Sequence, residues 1–376
     1  MKKKICILQN GLALGGTDTF IVNLCRGLDK NKYDITVVNP NKNPKFIIRE
    51  PEVMAYGVKI VHTTPPSGIK GSLKHLYQLY KLLKKGHFDV FQTNIDLFNG
   101  PNLLVAKLAG VPVRCCHSHN GMQNREIAYG RSFQLIIYQS LMKWMCRKFS
   151  NRQCGCSEIA MEFLYPKIDW RKSEYPAIIH NGIDLDHYRK EIDREKKLQS
   201  LNLPPDKKYL LNIGHIHEQK NPILLANIFV ELAKTRDDVD LIWVGNGRLK
   251  GEVVKILENA DVLHRVHFLE SRTDINEIMH CADIFLFPSI FEGLGIVAIE
   301  AQAAGLPCLI SDTIPSETQC GAAMYLPIDK GTKIWTDKIN DILDNKIILT
   351  PDDSILEKFS IPYMTEQMTQ VFEYSK

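Results

Sequence analysis

The residues with the most chemical content run from 291 to 300, Phe-Glu-Gly-Leu-Gly-Ile-Val-Ala-Ile-Glu, where seven residues separate Glu292 from Glu300. An apolar run ending at Phe287 and the breaker Pro288-Ser289 come first, and a helical pattern follows. Gly293 and Gly295 let a backbone approach a ligand closely. The N–H groups at the start of a helix favour an anion, which makes the amides of Gly293, Leu294, Gly295, Ile296 and Val297 candidates to hold phosphate. On a continuous helix Glu300 would lie roughly 12 Å along the axis from Glu292. That is about the span from a sugar ring, across a diphosphate, to a ribose. A carboxylate is of no use facing phosphate, but it accepts hydrogen bonds from hydroxyls at either end. The opposing reading is two solvated glutamates on an amphipathic helix, and the apolar neighbours of Glu300 (Ala298, Ile299, Ala301, Ala303, Ala304) speak against it.

Three more segments follow strand-like runs. Residues 214–222, Gly-His-Ile-His-Glu-Gln-Lys-Asn-Pro, place Lys220 before a proline suited to the first turn of a helix. Its ammonium can reach a diphosphate there as a point charge. Residues 11–16, Gly-Leu-Ala-Leu-Gly-Gly, fail the G-x-G-x-x-G dinucleotide fingerprint. Gly15 and Gly16 then read as a close-approach loop or a plain tight turn. Residues 114–121, Arg-Cys-Cys-His-Ser-His-Asn-Gly, end a strand with two histidines. A lone histidine is more often structural, and the pair leaves both readings open. Neither this segment nor Cys154-Gly155-Cys156 has the C-x2-C or H-x3-H spacing of a zinc site, so buried thiols and no metal are expected.

Loops of this kind need a layered scaffold to hold them. Apolar runs at 4–8, 35–38, 58–61, 89–91 and 111–116 alternate with helical patterns, and a second series follows at 209–213, 240–244, 266–268, 283–287 and 307–310. The pattern predicts two Rossmann-like, doubly wound α/β domains facing a cleft, at 1–180 and 185–360. The turn Asn181-Gly182-Ile183-Asp184 joins them. Ligands of such sheets sit beyond the carboxyl ends of the strands, where all the segments above fall.

A length of 376 residues fits two domains, and 44% hydrophobic with 24% charged residues is ordinary globular composition. A net charge of +4 is too small for a dedicated nucleic-acid binder. No apolar run approaches the ~18 residues of a membrane span, and no signal-peptide core follows the charged start, so a cytoplasmic protein is expected. Residues 132–149 combine Phe133, Ile136, Ile137, Leu141, Trp144, Met145 and Phe149 with Lys143, Arg147, Lys148 and the preceding Arg131. They read equally as an interfacial helix at the inner face of the plasma membrane or as a helix packed on its sheet with a solvated basic face.

Taken together these landmarks resemble the retaining glycosyltransferases of family 4, which have the GT-B fold. Glu292 to Glu300 is similar to the family's E-x7-E signature, Gly15-Gly16-Thr17 to its first-strand Gly-Gly loop, and residues 181–184 to its inter-domain turn. Gly214 through Lys220 resembles its G-R-x-x-x-x-K loop. His119, followed by the polar Asn120, resembles its catalytic-cleft histidine, with His117 the second choice. The resemblance implies transfer of a sugar from a nucleoside-diphosphate donor, most commonly UDP, to a hydroxyl of a glycan or polyprenyl-diphosphate-linked acceptor. It implies bacterial capsule, exopolysaccharide or lipopolysaccharide synthesis, with no metal and no cofactor. Asp184-Leu185-Asp186 spells the D-x-D that holds a metal in the other large glycosyltransferase fold, but it sits in the inter-domain turn.

Carried over residue by residue, Glu300 holds the ribose, the 293–297 amides with Lys220 hold the diphosphate, and Glu292 takes a sugar hydroxyl. His119 contacts the transferred sugar, Gly16 lies at the donor, and Gly15, Thr17 and Asn120 lie toward the acceptor. The family usually has Arg where this chain has His215, so the missing charge falls to His215 itself, Arg272 or Arg248. A closing helix over 362–376 is implied to return to the first domain. A non-catalytic partner subunit and a sugar-nucleotide epimerase of the same fold are the alternatives. A nicotinamide-dependent oxidoreductase would need the glycine fingerprint that is missing.

Overall fold

The computed structural model describes residues 1–122 and 132–374, so Arg131 lies outside the described residues. Among these, residues 1–121, 132–183 and 358–374 form one compact unit and 184–357 the other. Each unit is built on a six-stranded sheet in which every strand pair is parallel.

The first sheet contains β1 (Lys3–Leu8), β2 (Tyr33–Asn39), β3 (Lys59–His62), β4 (Val90–Thr93), β5 (Val113–Ser118) and β6 (Arg152–Gly155), in the order β3-β2-β1-β4-β5-β6. Its central strands are apolar on both faces because helices cover both. Ile5, Ile7, Ile35 and Val37 meet Phe20, Ile21 and Leu24 of helix Gly16–Gly27, together with the last helix. On the other face Cys6, Leu8, Phe91 and Cys116 meet residues of helices Gly68–Gly86, Asn99–Ala109 and Phe133–Phe149.

The last helix, Ile361–Glu373, completes the first unit's core. Ser360 caps it by accepting from the Tyr363 N–H, and Met364, Met368, Val371 and Phe372 are buried. Lys3 Nζ donates to the Phe372 carbonyl at 3.1 Å, and Tyr33 donates its hydroxyl hydrogen to Glu373 at 2.7 Å. Arg152 lies against the rings of Tyr175 and Tyr374 and donates to the carbonyls of Val371 and Tyr374.

The second sheet contains β7 (Lys208–Ile213), β8 (Val239–Val244), β9 (Val266–Leu269), β10 (Ile284–Phe287), β11 (Cys308–Ser311) and β12 (Ala323–Leu326), in the order β12-β11-β10-β7-β8-β9. β12 is a four-residue edge strand, too short to stand out as an apolar run. The direction of winding reverses between β1 and β4 in one sheet and between β7 and β10 in the other. Such switch points open a crevice at the carboxyl ends of the two central strands. All ten cysteines are buried and free. Among the described residues no helix is long and apolar enough to cross a membrane, and no cluster of three His, Cys, Asp or Glu side chains is disposed to hold a metal.

Candidate active site

The loops after β7 and β10 meet at the switch point of the second unit. Asn212 donates its side-chain amide to the Leu286 carbonyl at 2.8 Å, holding the two strand ends together. Beyond them the Ile290 N–H donates to the Gln219 carbonyl at 2.7 Å, and Gln219 Nε2 donates to the Phe291 carbonyl at 3.2 Å. These contacts bring Lys220 Nζ to 2.7 Å from Glu292 Oε1, while Gln219 Nε2 lies 3.4 Å from Glu292 Oε2. The ammonium also sits 4.6 Å from the Phe287 ring centroid. Gly214 makes room for this lysine, whose Cε lies 3.2 Å from where a Cβ on Gly214 would be.

Helix Ile296–Ala303 starts later than the sequence pattern suggests. Gly295 is left-handed at φ 78°, and only after it does the chain turn helical. Glu292 therefore lies in the loop, four residues before the helix. The 12 Å axial separation expected for a continuous helix does not apply, because only the stretch from Ile296 to Glu300, about 6 Å of rise, is helical. Glu300 is half-buried on that helix. The amides of Ile296 and Val297 belong to the first turn, which has no intrahelical acceptors to offer them.

The cations around this loop divide into two kinds. Arg248 contacts Glu218 Oε2 through Nη2 at 2.5 Å and Nε at 3.0 Å, which ties it to the 218–220 turn that carries Lys220. Arg272 follows the edge strand β9 and grips Asp274 with two bonds of 2.7 Å. Lys197 reaches the same carboxylate at 2.6 Å. The Arg272 guanidinium, joined by Lys197, holds the Asp274 carboxyl well below the usual carboxylate range. Arg272 is thus engaged two strands away from β7. His215 stacks on His217 with centroids 5.7 Å apart. Burial, and then the neighbouring His215 and Lys220, push the His217 imidazole down.

Two family models match the chain, Glycosyl transferases group 1 over residues 193–348 and Glycosyltransferase Family 4 over residues 14–187, and between them they take in most of both units. The chain belongs to the family 4, group 1 glycosyltransferases. EpsF of Bacillus subtilis, itself assigned as a glycosyltransferase, is 28% identical over 90% of this chain and 87% of its own length. The UDP-Gal:alpha-D-GlcNAc-diphosphoundecaprenol alpha-1,3-galactosyltransferase of Escherichia coli is 28% identical over 83% of this chain and 80% of its own. Anabaena HepE, solved with UDP, aligns over 98% of both chains with a TM-score of 0.77 at 15% identity. The shared fold is GT-B.

In this glycosyltransferase the first unit's switch point holds the remaining candidates. Gly15 caps helix Gly16–Gly27, and its N–H donates to Asp18 Oδ2 at 3.3 Å while Gln9 Nε2 donates to Asp18 Oδ1 at 2.7 Å. Thr17 is half-buried in the helix's first turn. Beyond β4, the amide of Gln92 and Nε2 of His119 converge on Asn94 Oδ1 at 3.0 and 3.2 Å, and Asn94 Nδ2 faces the Leu8 carbonyl. That orientation makes the Asn94 oxygen the acceptor and puts the His119 proton on Nε2. Burial, with His117 adding to it and Asn181 opposing, keeps the His119 imidazole neutral.

His117 is fully buried, and burial lowers its pKa to about 3. The rings of His117 and His119 lie 4.3 Å apart and both pack on Phe20. Asn120 donates to Asp96 Oδ2 at 2.6 Å, and burial pushes the Asp96 carboxyl up. Sequence reasoning missed Asp18, Asn94, Asp96 and Gln219. For Asn94, Asp96 and Gln219 the only local signal is a polar residue in the loop after a strand, where polar residues are common, and for Asp18 an acidic residue in the first turn of a helix.

Proposed function

We propose that this protein is a metal-independent, retaining glycosyltransferase. It moves a sugar from a UDP-sugar to a hydroxyl of a glycan or polyprenyl-diphosphate-linked acceptor in bacterial surface-polysaccharide synthesis. The observation that carries the reading is the Lys220 to Glu292 ion pair at the switch point, just ahead of the helix that starts at Ile296. A diphosphate placed at that helix terminus competes for Lys220, and the Glu292 carboxylate it leaves is then available to a sugar hydroxyl. Glu300 takes the ribose. Charge growing on the leaving diphosphate meets Lys220, the first-turn amides and Arg248, with His215 beside them, a preorganised set of donors that needs no metal.

Retention proceeds on one face of the sugar. The C1 bond to the diphosphate oxygen breaks, the acceptor oxygen bonds to C1 from the same side, and the departing oxygen takes the acceptor's proton. His119, being neutral, serves the transferred sugar as a hydrogen-bonding group rather than as an acid. The UDP in HepE and the UDP-Gal donor and diphosphoundecaprenol-linked acceptor named for the Escherichia coli relative support the choice of donor and acceptor class.

The test is thermal unfolding with UDP, GDP, ADP or NAD in EDTA, followed by acceptor-dependent release of the nucleotide. A ligand at ~100 times its Kd stabilises the fold by about 2.7 kcal/mol. A shift with UDP and release only when acceptor is present are expected. No shift with any nucleotide would make the protein a non-catalytic relative, and conversion of the sugar without net release of UDP would make it an epimerase.

A further inference from the structure

Asp96 lies just past β4, at the switch point of the first sheet, and its backbone is left-handed at φ 41°. A residue with a side chain resists that conformation, and such strain gathers where function calls for a particular group. Among the described residues, the other non-glycine positions with positive φ are His87, Asn202, Asn221, Asp261 and Asn345. All of these are exposed except Asn221, which is half-buried, as is Asp96. Asn221 directly follows Lys220 in the donor loop of the second unit, and Asp96 holds the matching place beside the crevice of the first.

The local fold has no use for the Asp96 carboxyl. Asn99 closes the turn instead, its Oδ1 accepting from the Ile95 N–H at 2.6 Å and from the Thr93 hydroxyl at 2.7 Å. Among the described residues no lysine or arginine pairs with Asp96, and the side chain hydrogen-bonded to it is Asn120, whose Nδ2 donates to Oδ2 at 2.6 Å. Asn120 follows His119, and Asn94, just ahead of Asp96, accepts from His119 Nε2 at 3.2 Å. Two side-chain bridges therefore tie the loop after β4 to the loop after β5, and fasten a carboxyl to the same pair of strand ends as His119. With Oδ2 taken by Asn120, Oδ1 is left to accept from a hydroxyl. A carboxylate with no cation beside it repels phosphate and other carboxylates, so the group that it meets is uncharged.

We propose that Asp96 binds and orients the attacking hydroxyl of the acceptor and restricts the sugar that carries it to neutral ones. The proposal rests on the glycosyl-transfer reading above and leaves its chemistry unchanged: Asp96 holds the hydroxyl, whose proton still passes to the departing diphosphate oxygen. The test is UDP release from UDP-glucose or UDP-galactose with p-nitrophenyl glucoside or p-nitrophenyl glucuronide, which differ only in a hydroxymethyl against a carboxylate. The parent should favour the glucoside by roughly tenfold or more in kcat/KM. Asp96→Asn removes the charge and keeps a residue that tolerates left-handed backbone. It should lower kcat/KM for the glucoside by more than about tenfold, mainly through the acceptor KM, and bring the two glycosides close to parity. Its Tm should be no lower than the parent's, and UDP should shift that Tm as it shifts the parent's. Unchanged selectivity with UDP binding intact would overturn the proposal alone, as would release that the glucoside does not accelerate in the parent. A Tm several degrees below the parent's would also overturn it, since Asp96 would then serve the fold. Absence of a UDP shift in the parent would instead remove the transfer reading, and the proposal with it.

Discussion

Lys220 Nζ lies 2.7 Å from Glu292 Oε1, so one ion pair ties the loop after β7 to the loop after β10 where the second sheet reverses direction. Both side chains are largely buried, and neither is well served without the other. Lys220→Ala should lower kcat/KM by more than about tenfold and also destabilise the second unit by about 3 kcal/mol, because Glu292 is left as a buried unpaired charge. Glu292→Gln keeps an oxygen for Lys220 and should lower turnover as much with a smaller loss of Tm. Unchanged kinetics in both variants would remove these residues from the site.

The two arginines should separate. Arg248→Gln removes a cation fastened to the Lys220 turn and should weaken nucleoside-diphosphate binding by roughly tenfold, read by titration calorimetry. Arg272→Gln breaks the Asp274 cluster and should lower Tm while leaving nucleotide affinity nearly unchanged. The reverse pattern would move the missing family charge to Arg272.

Acid should destabilise the first unit through its buried histidines. In the unfolded chain His117 binds a proton near pH 6.5, whereas in the fold it stays neutral to about 3. Between those values the unfolded state holds the extra proton, so stability rises with pH and is lost as pH falls from 6.5 toward 3. The slope is up to about 1.4 kcal/mol per pH unit for this residue. His117→Gln should show a shallower loss of Tm between about pH 7 and pH 5 than the parent. Parallel curves would mean that His117 is protonated in the fold.

The last helix should count as first-unit core. Phe372→Ala deletes a fully buried ring packed beside Met368 and Val371. It should cost about 3–5 kcal/mol in denaturant unfolding. A loss below about 1 kcal/mol would mean that the helix is only loosely attached.

The twofold α/β alternation was legible because each strand and helix writes its own periodicity locally, and the Gly15-Gly16 and Glu292 to Glu300 landmarks are local too. The start of the last signature's helix was not. Gly293 and Gly295 suit either a helix N-terminus or a loop, and the left-handed Gly295, packed near Ile314 and Phe287, decides for the loop. His117 and His119 could not be ranked by burial from sequence, since both end the same strand. Their difference lies in Asn94, which reaches only His119.

By itself, then, the sequence determined the fold class, the strand ends where chemistry belongs, and the residue types gathered there. Only the tertiary structure decided which partners those residues take: Lys220 with Glu292 and Arg248 with Glu218. The physical reason is that periodicity is set by neighbours along the chain, whereas these contacts are set by strand order, which brings together residues tens of positions apart.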